Sequence, residues 1–219
     1  ADILEQLIFF ITEQVGKTQK VAVYAFDGEE KLHPVVPFST SQGQVEGGLE
    51  GLRKYKAKDP STNLHGAVIL GIRELKVALD KDDKPLKFGT LVVFSDGSDR
   101  AARYSREDMN AELDKEDYAN YDMFAIGVGA EIEKAKLDDV GRDGTELATD
   151  DASVKAAFET VAKRIEQHMK RFYLLSYCTP ARKGDHTVEI VANSTDPKGK
   201  GSLEYGFSAA GFGPPPECD

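Results

Sequence analysis

Tryptophan is absent from this chain, and cysteine, methionine and histidine are scarce, at two, three and four residues among 219. No Cys-x-x-Cys pair occurs, so neither a zinc knuckle nor a dithiol redox motif is predicted. No apolar run approaches the roughly 18 residues that a membrane-spanning helix needs, so no transmembrane segment is expected. Positive charge is in deficit, with 28 Lys and Arg against 38 Asp and Glu. Because nucleic-acid phosphates require basic patches, this balance argues against nucleic acid as a partner.

The usual sequence signatures of enzymes are also missing. No G-x-S-x-G nucleophile elbow, Walker A loop or G-x-G-x-x-G fingerprint occurs. Gly127-Val128-Gly129 lacks a third glycine at the required distance. His33, His168 and His186 are scattered and form no spaced cluster, and His65 is expected to be structural. We therefore expect a protein that is not an enzyme.

Strand and helix patterns alternate along most of the chain. Up to about residue 170 this alternation predicts an α/β fold with a doubly wound, mostly parallel sheet flanked by helices. Beyond that point strand follows strand, which predicts a short antiparallel β appendage. The hydrophobic fraction of 40% is enough for one core. We place the main domain at residues 1–175, and the appendage with its Pro-rich tail at 176–219.

Periodicity and punctuation give the bounds of individual elements. Ser61 or Thr62 is expected to cap the helix that begins at Leu64. The segment 32–38, broken by two prolines, is expected to be an edge strand or a loop. Predicted helices are 3–15, 45–55, 64–79, 106–113 and 154–169, with a helical turn at 137–140; predicted strands are 21–26, 88–94, 121–128, 144–149, 172–177, 187–192 and 201–207.

The most informative segment is LVVFSDGSD, residues 91–99. Its apolar run with β-branched residues at the centre is typical of a strand buried on both faces. Asp96 follows where that strand should end, and open α/β sheets bind ligands just beyond the carboxyl ends of their strands. A second segment, DPSTNLHGA at residues 59–67, places hydroxyl groups at the start of a helix. The two segments together predict a binding site at one edge of the sheet.

The order of these motifs resembles the von Willebrand factor A (vWA) family. The resemblance rests on VAVYAFDG, DPSTNLHGAV, LVVFSDGSDRAAR and YDMFAIGVG in this order, followed by a late helix and RFYLLSYCTP. It covers nearly the whole chain to about residue 180. The FYLLSY segment, followed by a basic turn and HTVEI, is similar to the β-extension that follows some bacterial vWA domains.

The resemblance implies a metal-ion-dependent adhesion site that usually holds magnesium. Mg²⁺ prefers oxygen ligands in octahedral geometry and keeps some of its waters, so a partner carboxylate can take an open position. Thr62 matches the threonine of the second family loop, and Asp96 matches the aspartate of the third. The neighbouring residues expected to form a rim that contacts a protein partner are Ser61, Asn63, Ser98 and Asp99.

The first family loop, D-x-S-x-S, has no match in this sequence. The segment that begins at Asp96 has Arg100 where the last serine belongs, and the segment that begins at Asp151 fails in the same way. The chain starts in what resembles the first helix, so the family's first, central strand is missing as well. A sheet without its centre would expose two unpaired edges. We therefore expect an additional parallel strand between residues 21–26 and 88–94, from upstream residues or from another chain.

The two cysteines, Cys178 and Cys218, allow either one disulfide or two free thiols. A disulfide is preferred because both lie outside the main strand–helix repeat, and it indicates an extracellular, cell-surface or periplasmic setting.

The leading functional hypothesis is a metal-dependent module that binds or adheres to a protein partner. The alternatives are a metal-independent vWA-like scaffold for complex assembly and, less favoured, a doubly wound hydrolase or nucleotide-binding protein. The sequence does not indicate the oligomeric state.

Overall fold

A computed structural model describes residues 3–15, 19–84, 86–129, 137–173 and 175–213. Contacts divide the chain into two units, Ala1–Phe172 and Tyr173–Asp219, and each unit is described by itself. The boundary at residues 175 and 176 that the sequence suggests stays a prediction.

The first unit alternates helices with strands, as its sequence predicts. The helices are α1 (Ile3–Phe9), α2 (Gln42–Leu52), α3 (Leu64–Asp80), α4 (Arg106–Leu113) and α5 (Asp151–Met169), with a π-helix at Phe10–Val15 and a 3-10 turn at Glu116–Tyr118. The strands are β1 (Val21–Ala25), β2 (His33–Ser39), β3 (Gly89–Ser95), β4 (Tyr121–Val128) and β5 (Gly144–Ala148).

A parallel sheet in the order β3-β4-β5 forms the centre of this unit. Gly89 lies opposite Tyr121 and Ser95 lies opposite Gly127, so β3 and β4 pair without interruption. Successive side chains of a strand point to opposite faces, and β4 therefore contributes to two hydrophobic cores. The prediction of an α/β fold with a parallel sheet flanked by helices is confirmed.

One core lies between the sheet, the first helix and α5, and the other lies against α3 and α4. The first includes Phe10, Val36, Leu49, Phe124, Ile126, Val154, Phe158, Val161 and Ile165. The second includes Leu64, Val68, Ile72, Val93, Met109, Leu113, Met123, Ala125, Leu137 and Val140. Burial on both faces explains why β4 reads as a continuous apolar run.

The strands β1 and β2 form a separate antiparallel pair. Within the described residues, β1 and β3 belong to different sheets, and each has a strand partner on one side only. Six of the eight residues of β4 are buried, whereas four of five in β1 and four of seven in β3 are half-exposed. β1 and β3 have the apolar sequences of buried strands, yet each has one edge with which no described strand pairs.

Helix starts follow local hydrogen-bonding chemistry. Ser105 caps α4 through a capping box with Asp108, and Asp150 caps α5 by accepting the Ser153 amide. The cap of α3 was predicted wrongly. It is Asn63, whose side-chain oxygen accepts the Gly66 amide at 3.1 Å. Asparagine caps a helix as well as serine or threonine does, so residue type alone does not favour Ser61 or Thr62 over Asn63.

The helix predicted over residues 3–15 is not regular throughout. From Phe10 it continues as a π-helix, in which Phe10, Ile11 and Thr12 are all buried. The Phe10 ring packs at 4.9 Å from the Phe158 ring of α5. The wider turn lets consecutive residues face the core, a requirement that periodicity does not reveal.

The second unit contains a hairpin of β6 (Asp185–Thr195) and β7 (Lys198–Ser208) in continuous antiparallel register. This confirms the predicted appendage, with longer strands than expected.

The strand predicted at 172–177 is wrong for its described residues, which form no strand pairing. Tyr173 and Tyr177 are 80% and 62% exposed, and the described residues of this run have no ladder partner. Cys178 is not a free thiol, but Cys218 lies outside the described residues, and their pairing stays a prediction.

The two faces of α3 provide a matched test of this packing. Ile72 is fully buried, whereas Val77 on the same helix is 47% exposed. We expect Ile72→Ala to lower the free energy of unfolding by about 2–5 kcal/mol, because a cavity adds to the lost burial. Val77→Ala should stay within about 0.5 kcal/mol of the parent. Denaturant unfolding followed by circular dichroism measures both, and equal effects would contradict the assigned core.

Candidate functional site

Three loop segments meet beyond the carboxyl ends of β1 and β3. They are residues 27–30, 59–63 and 96–103, and together we call them the strand-end region. The Asn63 amide donates to the Asp27 carbonyl at 3.0 Å, and the Gly28 amide donates to the Asp59 carbonyl at 3.2 Å. The Arg100 amide donates to the Thr62 carbonyl at 2.8 Å. These backbone bonds hold the three segments together at the edge where α/β sheets bind ligands.

The two predicted metal ligands lie on two of these segments. Thr62 is half-buried, and its carbonyl also accepts the Ala101 amide at 3.0 Å. Asp96 is exposed and directly follows Ser95, the last residue of β3. A Cβ atom placed on Gly97 would lie 3.5 Å from Thr62 Oγ1. The Thr62 hydroxyl therefore faces the loop that Asp96 begins, and metal ligation by the two residues stays a prediction.

Two predicted rim residues instead hold the loops in place. Asn63 is 2% exposed, and its amide also donates to the Glu29 carbonyl at 2.9 Å. The Asp99 side chain is 7% exposed, and its carboxylate accepts the backbone amides of His65 and Ala102, each at 2.9 Å. Asn63 and Asp99 therefore hold the loops from inside, and their assignment to a rim that contacts a partner stays a prediction. Sequence position showed that both were near the edge but not which way they point.

Ser61 and Ser98 are both half-buried and remain candidates for the rim. Ser61 Oγ donates to Asp59 at 2.7 Å, and Arg103 donates to the other oxygen of the same carboxylate at 3.2 Å. The hydrogen bonds from Ser61, followed by the contact with Arg103, lower the pKa of Asp59. Arg103 also donates to the Gly28 carbonyl, so one guanidinium joins all three segments.

Serine and histidine side chains near the site have structural partners. Ser95 Oγ donates to the Gly97 carbonyl at 2.8 Å and accepts the Gly97 amide at 3.2 Å. The hydroxyl therefore closes the turn after β3. His65 Nδ1 lies 3.0 Å from the Tyr104 carbonyl oxygen, in keeping with the structural role expected for it.

One group of possible ligands was missed from the sequence. Asp27, Glu29 and His33 each place a ligand atom within 4.8 Å of the others, although His33 was expected to belong to no cluster. The signal that could have revealed it is the hairpin. If β1 and β2 pair antiparallel, the residues at the two ends of their connection, 27 and 33, must come close together. The sequence allows either an edge strand or a loop at residues 32–38, and only the strand implies this proximity.

The buried carboxylate of this group is held by several donors. Asp27 Oδ2 accepts the Tyr55 hydroxyl and the Lys58 amide, each at 2.9 Å, while Oδ1 accepts the Glu29 amide at 2.8 Å. Burial alone would raise the pKa of Asp27, but these hydrogen bonds together with His33 hold it well below its usual range. Burial and the bond to Asp27 raise the pKa of Tyr55 to about 12. Asp27 is therefore anionic and Tyr55 protonated at neutral pH.

Comparison with known proteins identifies the fold. No model of a protein family matches the sequence, and no curated protein sequence matches it. Solved structures do match. Proximal thread matrix protein 1 from the mussel byssus, with a zinc-occupied MIDAS motif, gives a TM-score of 0.57 at 12% identity, covering 75% of this chain and 43% of that one. A von Willebrand factor type A structure from Catenulispora acidiphila gives 0.51 at 15% identity, with 74% and 38% covered.

A third structure, manganese-loaded TRAP protein from Plasmodium vivax, gives a TM-score of 0.54 at 12% identity, with 95% of this chain and 84% of that chain covered. The fold of this protein is therefore vWA-like. The chain spans less than half the length of the mussel and Catenulispora structures. Among the residues that the structure describes, no helix is both long enough and apolar enough to cross a membrane.

Proposed function

We propose that this protein is a metal-dependent binding module that engages a protein partner through the strand-end region. The observation that carries the proposal is the joining of the Thr62 segment to the loop that follows Asp96, through two backbone bonds to the Thr62 carbonyl. Those bonds bring a hydroxyl-bearing segment and a carboxylate-bearing segment to one edge of a rigid sheet. The zinc-occupied MIDAS motif and the manganese-loaded protein among the similar structures support a cation at this edge.

The chemistry of the two side chains suits a hard cation. Thr62 offers a hydroxyl oxygen and Asp96 an exposed carboxylate, and oxygen ligands of this kind suit Mg²⁺. A magnesium ion held by few protein groups keeps waters, one of which a partner carboxylate can replace. Ser61 and Ser98 would contact the partner beside the ion, whereas Asn63 and Asp99 fix the loops from inside. In this reading the protein binds and does not catalyse.

The unpaired sides of β1 and β3 support the proposed central strand. Val23 and Val92 are half-exposed although both belong to strands of buried-type sequence. A parallel strand between β1 and β3 would cover them and pair the free backbone groups of both. If its carboxyl end carries D-x-S-x-S, that loop reaches the same edge as Thr62 and Asp96 and supplies the remaining protein ligands.

A metal-independent scaffold is the second candidate. Thr62 and Asp96 are the two matched family ligands in the described residues, fewer than a stable magnesium site uses. If no further ligands join them, the strand-end region would act as a docking surface without an ion. The response to Mg²⁺ separates the two functions.

We place the protein in an extracellular, cell-surface or periplasmic setting. The support is the cysteine pair, because disulfides persist in oxidising compartments, together with the fold shared with a mussel byssus thread protein.

Asp96 is the residue whose loss should remove the metal response. Once the D-x-S-x-S strand described below is supplied, we expect Mg²⁺ to raise the thermal stability of the protein, because a ligand that binds only the folded state stabilises it. In Asp96→Ala that increment should disappear while stability in chelator changes by less than about 0.5 kcal/mol, since the side chain is exposed. Asp83→Ala, another exposed aspartate on the loop that precedes β3, is the matched control.

Thermal unfolding with Mg²⁺ and with chelator measures these effects. An equal magnesium increment in Asp96→Ala and the parent would refute the metal site. A parent protein that does not respond to Mg²⁺, even with the D-x-S-x-S strand described next, would favour the scaffold.

The proposed strand can be supplied directly. A segment of about seven β-branched residues followed by Asp-x-Ser-x-Ser, fused ahead of Ala1, should raise the denaturant midpoint. Each apolar side chain that the added strand buries is worth about 1.5–3 kcal/mol. The control carries proline at the centre of the segment, which removes a backbone donor. If both fusions have the midpoint of the parent, the space between β1 and β3 does not accept a strand.

The cysteine pairing is tested by intact mass. A Cys178–Cys218 disulfide closes a loop of about 40 residues, which contributes about 3–4 kcal/mol in the chain-entropy model. We expect the unreduced protein to resist alkylation and the reduced protein to gain two labels. Two labels on the native, unreduced protein would exclude the bridge.

A further inference from the structure

The hairpin connection between β1 and β2 gathers three metal-ligating side chains, Asp27, Glu29 and His33. The Asp27 side chain is 1% exposed and that of His33 is 16% exposed. His33 Nε2 lies 3.2 Å from Glu29 Oε2 and 3.5 Å from Asp27 Oδ1. One imidazole nitrogen and two carboxylate oxygens therefore converge on a common point.

Two of these three ligand atoms lack a hydrogen-bond partner. Glu29 Oε2 and His33 Nε2 are both shielded from water, and neither makes a hydrogen bond of regular geometry, although the two atoms lie 3.2 Å apart and Lys31 Nζ lies 3.6 Å from Glu29 Oε2. Leaving buried polar atoms unbonded costs free energy, so such atoms call for an explanation in each case. A cation between them would satisfy both atoms at once.

The third ligand is already oriented. Donors from Tyr55, Lys58 and Glu29 fix the Asp27 carboxylate and keep it ionised. Oδ1 accepts one of these bonds, so a lone pair of that oxygen is left for a further partner. Carboxylates held by neighbouring donors in this way are typical of metal sites, where outer groups orient the ligands.

We infer that Asp27, Glu29 and His33 form a binding site for a divalent transition-metal ion of the Zn²⁺ class. Imidazole nitrogen with carboxylate oxygens suits zinc, and three protein ligands leave the fourth tetrahedral position for water. The imidazole and the small ligand number disfavour Mg²⁺ and Ca²⁺, which take mostly oxygen ligands. This site shares no ligand with Thr62 and Asp96, so it goes beyond the proposed function.

Access and placement agree with this assignment. A pocket of about 230 Å³ opens beside His33, and its lining also includes Gly51, Lys54 and Tyr55. The segment that holds Asp27 and Glu29 is bonded through both backbone carbonyls to Asn63. An ion bound here would therefore stabilise the loop against which the Thr62 segment rests.

The test is Zn²⁺ titration by calorimetry, with Co²⁺ absorption to report tetrahedral nitrogen and oxygen ligation. We expect one Zn²⁺ per chain in the parent. Affinity should fall by about 100-fold or more in His33→Ala and in the isosteric Glu29→Gln, since loss of even an outer partner costs about 10–100-fold. His186→Ala, which removes an exposed imidazole of the second unit, should bind as the parent does.

Two further comparisons distinguish this site from the proposed magnesium site and from a metal-free ion pair. Thr62→Ala combined with Asp96→Ala should keep the Zn²⁺ affinity, and its loss there would assign the ion to the proposed magnesium site instead. The competing explanation is that these side chains bind no metal and that a protonated His33 forms ion pairs with Asp27 and Glu29. In that case the parent shows no Zn²⁺ binding above that of Glu29→Gln, and the inference is overturned. Thermal unfolding of each variant without metal verifies that it folds.

Discussion

The parallel pairing of β3 with β4 is the constraint on which the rest of the first unit depends. Parallel strands cannot be joined by a tight turn, so a helix must return the chain across a face of the sheet. The sheet is then covered on both sides, and β4 becomes apolar throughout. The same geometry brings the carboxyl ends of the strands to one edge. The residues that follow β3, beginning at Asp96, are placed there as a consequence.

The strand-end region is assembled mostly by backbone hydrogen bonds rather than by contacts between charged side chains. Asn63 is central because its backbone and side-chain amides bind the carbonyls of Asp27 and Glu29, while its side-chain oxygen caps α3. A buried polar side chain that satisfies several groups specifies one arrangement of the loops, since every alternative leaves a donor or acceptor unpaired. Such a framework can present exposed side chains such as that of Asp96 without relying on them for stability.

The strands of the first unit differ in how completely they are paired. β4 has a strand on each side and is almost entirely buried, whereas β1 and β3 each have a strand on one side and stay half-exposed. Their apolar sequences are nevertheless those of strands with two neighbours. The mismatch between composition and exposure is the physical basis for proposing a further strand, and it is independent of the resemblance to vWA domains.

The sequence by itself determined the elements whose signals are local or strictly periodic. Helix α4 and strand β4 were predicted with the observed bounds, because a short polar helix and an apolar run that ends at glycine are recognised within a few residues. Only the tertiary structure decided features that depend on distant partners. The described residues of the run at 172–177 pair with no strand, the Asn63 and Asp99 side chains bond neighbouring loops, and His33 lies beside Asp27 across a hairpin. Whether a side chain is buried or bonded depends on what lies opposite it, and that is set by the fold rather than by its neighbours in sequence.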